Sequence, residues 1–124
     1  RTLRSNNSWM HNSPRLMRGA SRCTLEVHPT DAERCQVQDG AIATLRSDVG
    51  SVDVPVRVTD DIMPGVVCLP HGFGHGRAGT RLGVASAQPG ASVNDVIDAR
   101  RVDRLSGTSA LSGQPVQLGP SARA

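Results

Sequence analysis

Residues 41–58 read AIATLRSDVGSVDVPVRV, and their alternation decides the fold class. Valines at 52, 54, 56 and 58 recur with period 2, the spacing at which strand side chains share a face. Residues 41–47 alternate in the same way, and Asp48-Val49-Gly50-Ser51 between the two runs is a hairpin turn. Pro55 lies on the face opposite the valines. Because proline cannot donate to a ladder, an edge or bulged position is expected for it.

Working outward toward the N-terminus, CTLEVH at 23–28 alternates and is expected to be a strand. Pro29 follows, and then Thr30 with Glu33 three residues on, a capping-box pattern that opens a short helix ending before Gly40. Toward the C-terminus, residues 64–80 read PGVVCLPHGFGHGRAGT. Val66, Val67, Cys68 and Leu69 predict a short buried strand that stops at Pro70 and empties into a glycine-rich loop. Residues 80–85 (TRLGVA) are expected to form a further short strand, and 92–97 a loop running into a turn or strand. Asp103-Arg104-Leu105-Ser106-Gly107 is loop-like, 114–118 (QPVQL) is a closing strand, and 119–124 is a frayed tail. Short strands every 8 to 12 residues with turn signals between them predict a mainly β chain built as a small barrel.

Size and composition agree. The 124 residues make one domain. Fourteen valines and twelve alanines against three isoleucines, one Phe, one Trp and no Tyr give a core suited to pleated strands. All 14 basic residues are arginine, the base suited to bidentate phosphate contacts, and the net charge is +3. Arg1, Arg4, Arg15, Arg18 and Arg22 precede the first acid, Glu26, as either a solvated arm or a segment that meets a polyanion. One Phe and one Trp leave little to stack bases, so nucleic acid is not an expected partner. Cys23, Cys35 and Cys68 are odd in number and contain no C-x-x-C, which excludes a disulfide framework and an internal structural zinc or iron–sulfur site; they fit a reducing, cytoplasmic setting. No apolar run approaches ~18 residues, so no membrane span is expected, and no signal-peptide pattern opens the chain.

The loop at 71–79 is the leading candidate site. His71, Gly72, Phe73, Gly74, His75, Gly76, Arg77 and Gly79 combine backbone that can approach a ligand closely with polar side chains. His71 and His75 are four apart, but the intervening glycines disfavour a helix and no carboxylate stands in the loop, so no metal site is assigned. GFGHG lacks a following helix and the required acid of a dinucleotide fingerprint, and no P-loop is present. There is no nucleophile in a G-x-S-x-G turn, and Cys68 inside an apolar strand is expected to be inert. No catalytic residue is assigned. Trp9, amid Ser, Asn and His, either caps the core or forms an aromatic wall beside a heterocycle. The surface suits a large phosphate-bearing heterocyclic ligand.

The succession RTLRSNNSWMHNSPR, HPTDA, PGVVCLPHGFGH, SVND and DRLSG resembles the C-terminal domain of molybdopterin-dependent oxidoreductases, a family that includes formate dehydrogenases, periplasmic nitrate reductases and dimethyl sulfoxide reductase. The resemblance covers residues 1–118 and leaves 119–124 as a tail. It implies a six-stranded double-psi β-barrel with one or two short helices, a role in binding molybdopterin guanine dinucleotide, and a place in a larger polypeptide. Carried over by residue, it puts the first cofactor loop on Leu3, Arg4, Ser5, Asn6, Asn7, Ser8 and Trp9, with His11 behind. It adds His71 and Gly72 after the apolar strand and Asn94 in the later loop. His28, Pro29, Asp31 and Ala32 are explained as a capped helix start. Ile97 stands where Thr is usual, Arg104 where Pro is usual, and the Gly usual before Arg1 is missing, as in a domain excised within its first motif. The metal-ligating residue and any iron–sulfur cluster are implied for other domains, which are also the expected partners. The isolated chain is expected to be monomeric and inactive. A double-psi barrel serving as a protein-interaction module is the alternative.

Overall fold

The computed structural model describes residues 8–122. Five strands are found among them: β1 (Leu25–Val27), β2 (Ile42–Arg46), β3 (Ser51–Val58), β4 (Val67–Cys68) and β5 (Gln117–Pro120). Two short helices, α1 (Pro29–Arg34) and α2 (Gly83–Ala87), and 3-10 turns at Ser8–Asn12 and Val93–Val96 complete the elements used below. The strands form a curled, half-barrel sheet in the order β4-β1-β3-β2-β5. The mainly β expectation holds in that form, with five strands where six were expected.

The hairpin read from residues 41–58 is present. β2 and β3 pair antiparallel from Arg46 opposite Ser51 to Ile42 opposite Pro55, and Ser47 N–H donates to the Gly50 carbonyl across the turn. Val54 and Val56 are buried, with Val52 and Val58 half-buried on the same face. Pro55 is neither at an edge nor in a bulge: β3 lies centrally between β1 and β2. Residues 51–55 pair with β2, and 56–58 pair in parallel with β1. Pro55 therefore stands where β3 passes from one partner to the other, and its missing N–H interrupts neither ladder.

Three other local expectations change. Helix α1 starts at Pro29, not Thr30, and its cap is His28, whose Nδ1 accepts from Thr30 N–H at 3.2 Å. Residues 80–85 do not make a strand. Instead Gly83–Ala87 is helical, with Asn12 Oδ1 accepting from Val84 N–H and Ala85 N–H. The closing strand runs Gln117–Pro120 against β2, so Gly119 and Pro120 belong to the sheet rather than to a tail, and Ser121 beyond them is buried.

The core forms on the inner face. Leu25 and Val27 of β1, Ala43 and Leu45 of β2, and Val54 and Val56 of β3 meet Met17, Cys23, Ala32, Val37, Phe73 and Val96. The apolar run at 66–69 is less buried than expected. β4 pairs only with β1, so it is an edge; Val67 and Leu69 turn toward the core, while Val66 and Cys68 are exposed. No helix among the described residues is long and apolar enough to cross a membrane.

Candidate functional site

Leu3, Arg4, Ser5, Asn6 and Asn7 lie outside the described residues. The remaining candidates begin with the Ser8–Asn12 turn, which exposes Ser8 and Trp9 (71% exposed) and buries His11 completely. The turn is held at both ends. Asn12 is tied to the start of α2, and the ring of His11 lies against the glycine-rich loop. Its centroid is 4.2 Å from that of Phe73, and its Nδ1 is 3.1 Å from His75 Nε2.

Close packing brings Ser8 and Gly72 side by side. Gly72 has φ +98°, and a Cβ there would lie 3.4 Å from the Ser8 backbone and from His11 Cε1. A side chain at 72 would strain the backbone, while its Cβ would sit in ordinary contact with the first loop. His71 beside it is exposed. Farther along the loop, Gly74 (φ +108°) leaves only 2.6 Å between an added Cβ and Ser92 Cβ, and Arg77 pairs with Asp95. The turn Val93–Val96, which carries exposed Asn94, is thereby seated on the other end of the same loop. An open cleft of about 400 Å³ lies there, bordered by Ser51, Gly74, Arg77, Ser92 and Asp95. The glycine-rich loop thus joins the two other candidate segments, although no contact brings Asn94 itself to Ser8 or His71 among the described residues.

The electrostatics separate the histidines. His11 is held below its usual pKa, first by burial, then by the electrostatic influence of His75 and of Arg22; the Gly72 carbonyl acts the other way. Its Nε2 is buried without a hydrogen-bond partner. His71 is exposed and His75 buried, so the two residues four apart do not share an environment. No group of three or more His, Cys, Asp or Glu able to hold a metal ion occurs among the described residues. The Cys68 thiol is exposed but pushed above its ordinary value by partial burial and by Glu26, its cross-strand neighbour. That shift disfavours the reactive thiolate.

Two residues carry more than the sequence reading gave them. His75, named there only as one residue of the loop, makes a side-chain contact to His11 that helps join the two loops. Asp31 is buried: its carboxylate accepts from Arg34 and, at 2.6 Å, from Gly65 N–H, fixing the turn that leads into β4 and the candidate loop. In the sequence, Asp31 stood out only within the HPTDA motif, which was read as a capped helix start.

The chain is a half-barrel β domain whose edge strand opens into a glycine-rich loop, with polar turns packed on both ends of that loop. Residues 1–115 match the family model described as "Molydopterin dinucleotide binding domain", and the chain belongs to that molybdopterin dinucleotide-binding family. It is 33% identical over 93 residues to the molybdopterin-containing subunit of arsenate respiratory reductase from Chrysiogenes arsenatis, covering 72% of this chain and 11% of that one. It is 25% identical over 122 residues to a tetrathionate reductase subunit from Salmonella typhimurium, covering 85% of this chain and 12% of that one. Acetylene hydratase from Pelobacter acetylenicus shares the fold, with a TM-score of 0.64 at 17% identity over 79% of this chain and 14% of that one. The chain therefore spans only about 11–12% of the length of the curated relatives it matches.

Proposed function

We propose that this chain is the C-terminal cofactor-binding domain of a larger molybdenum-dependent oxidoreductase, and that it positions and encloses molybdopterin guanine dinucleotide. The observation that supports the reading is the packing of the Ser8–Asn12 turn against Gly72, with Ser8, Trp9 and His71 all exposed. The residues fit the group. Glycine backbone, hydroxyl, amide and imidazole offer hydrogen bonds to phosphates and to the edges of the rings, and Trp9 offers a flat apolar face. Leu3, Arg4, Ser5, Asn6, Asn7, Ser8, Trp9, His71, Gly72 and Asn94 are the proposed contacts. His11, having no accessible surface, acts from beneath them.

When bound, the cofactor supplies the redox chemistry, and this domain's part is binding, orientation and exclusion of water. The finer architecture proposed is the six-stranded double-psi barrel, its sixth strand lying beyond the five described. The isolated chain is proposed to be catalytically inactive, with the metal ligand and any iron–sulfur cluster in other domains of the same polypeptide. Three free cysteines support a reducing, cytoplasmic setting. The reaction is not carried over from the relatives, since a hydratase and reductases share the fold.

Titration of the isotope-labelled chain with a guanine nucleotide diphosphate fragment, followed by nuclear magnetic resonance, tests the site. Amide shifts are expected at residues 3–11, 71–76 and 94. Shifts confined to other surfaces would overturn the assignment. Binding of a protein partner that survives substitution of Asn94 and Gly72, with no response to the nucleotide, would favour an interaction module.

A further inference from the structure

The two loops that form the proposed rim meet through a pair of buried imidazoles. We propose that His11 and His75 form a proton-dependent latch that holds these loops together, so that acid loosens the seat and releases the dinucleotide. The inference rests on the proposed function and adds His75 as a positioning residue.

The geometry is specific. His11 Nδ1 and His75 Nε2 are 3.1 Å apart with the rings perpendicular, and the residues are 0% and 9% exposed. A nitrogen-to-nitrogen hydrogen bond holds one proton between its partners, so the uncharged pair satisfies both facing atoms. Among the described residues, only the Gly72 carbonyl favours a further charge on His11, and burial, His75 and Arg22 outweigh it. The glycine-rich loop presents the Phe73 ring and the Gly72 carbonyl to His11. The segment before β1 presents Arg22, a like charge. Helix α2 has no ionisable residue and contributes Ser86 Oγ, which donates to the His75 carbonyl, while Pro89 accepts from His75 N–H. No carboxylate among the described residues acts on His11, so a charge placed there would lack a counter-ion.

A proton added to the pair therefore makes a buried cation beside a guanidinium. Moving one ring into water relieves it, and each ring takes its own loop along. Separation at Gly72 would undo the close packing against Ser8 on which the rim depends.

The test uses the full polypeptide with its cofactor loaded. Release is followed by the fluorescence of pterin recovered after rapid gel filtration at about pH 7.5 and about pH 5.5. Release from the unaltered protein is expected to quicken on the order of tenfold at the lower pH. His75→Leu, which cannot make the bond, should release quickly at both pH values. His75→Gln, which can bond to His11 Nδ1 but cannot titrate, should retain the cofactor at the higher pH and show a smaller acid response. If His75→Leu fails to fold, the pH profile of His75→Gln decides. Equal release profiles for the unaltered protein and His75→Gln would overturn the latch while leaving the binding role intact. A full polypeptide that holds no pterin at either pH would overturn the binding role beneath it.

Discussion

His11 meets acid differently from a surface histidine. Burial, His75 and Arg22 lower its pKa from the ordinary 6.5. In the unfolded chain the same ring takes a proton near 6.5, whereas in the folded chain it does so only at lower pH. Between those two values the unfolded state binds more protons, so stability rises with pH through that window and is lost as pH falls through it. The urea midpoint at about pH 5 is expected to lie below that at about pH 7.5, and His11→Phe should show a shallower dependence. Asp98 does not confuse this window. Arg100 holds its carboxyl down at about 2, so its contribution changes only below the ordinary 3.8. A midpoint that rises on acidification would contradict the burial of a neutral His11.

At the scale of elements, α1 shows how little of a short helix is local. Six residues cannot sustain a helix in water. Its stability comes from Ala32 in the core and from Asp31, whose carboxylate bonds Arg34 and the Gly65 amide. Asp31→Ala should cost about 2–3 kcal/mol in denaturant unfolding, since it strands the Gly65 N–H and breaks charge-assisted bonds; a loss below about 0.5 kcal/mol would remove Asp31 from this role. The same contrast between local and distant causes explains what the sequence made legible. The hairpin of β2 and β3 and the strand β1 were readable because alternation is a local signal. Helix α2 was not, because GVASA has no distinctive period and its start is capped by Asn12, 72 residues earlier. Pro55 was misplaced because a change of pairing partner leaves no mark on the strand that makes it. In the candidate site, Ser8 and Asn94 were named through motif resemblance, and His71, Gly72 and His75 already through the glycine-rich loop. The pairing of His75 with His11 was not legible, since it depends on a ring 64 positions away.

The whole molecule exposes more large apolar side chains than its sheet needs. Leu105 is 99% exposed and Leu111 57%, and a single bridge between Val102 and Ser109 closes the loop that carries Leu105. Their backbone is well formed: Asp103 accepts from the amides of Leu105 and Ser106, and those bonds hold its carboxyl below the usual range. Exposed leucines of this kind mark a candidate contact surface, and the chain spans about 11–12% of the length of these two relatives. Amide hydrogen exchange at residues 102–111 should be slower in the full polypeptide than in the isolated chain. Equal rates in both would mean that this face stays open to solvent.

The bond between His11 and His75, together with the capping of α2 by Asn12, has a consequence for biosynthesis. A ribosome delivers the first loop long before the groups that hold it. Until residues 75, 84 and 85 have emerged, the 8–12 turn has neither its imidazole partner nor the amides that anchor it. Closing loops of that length is slow compared with forming a local turn. The first loop therefore takes its final shape only after residue 85 has emerged, well after its own synthesis.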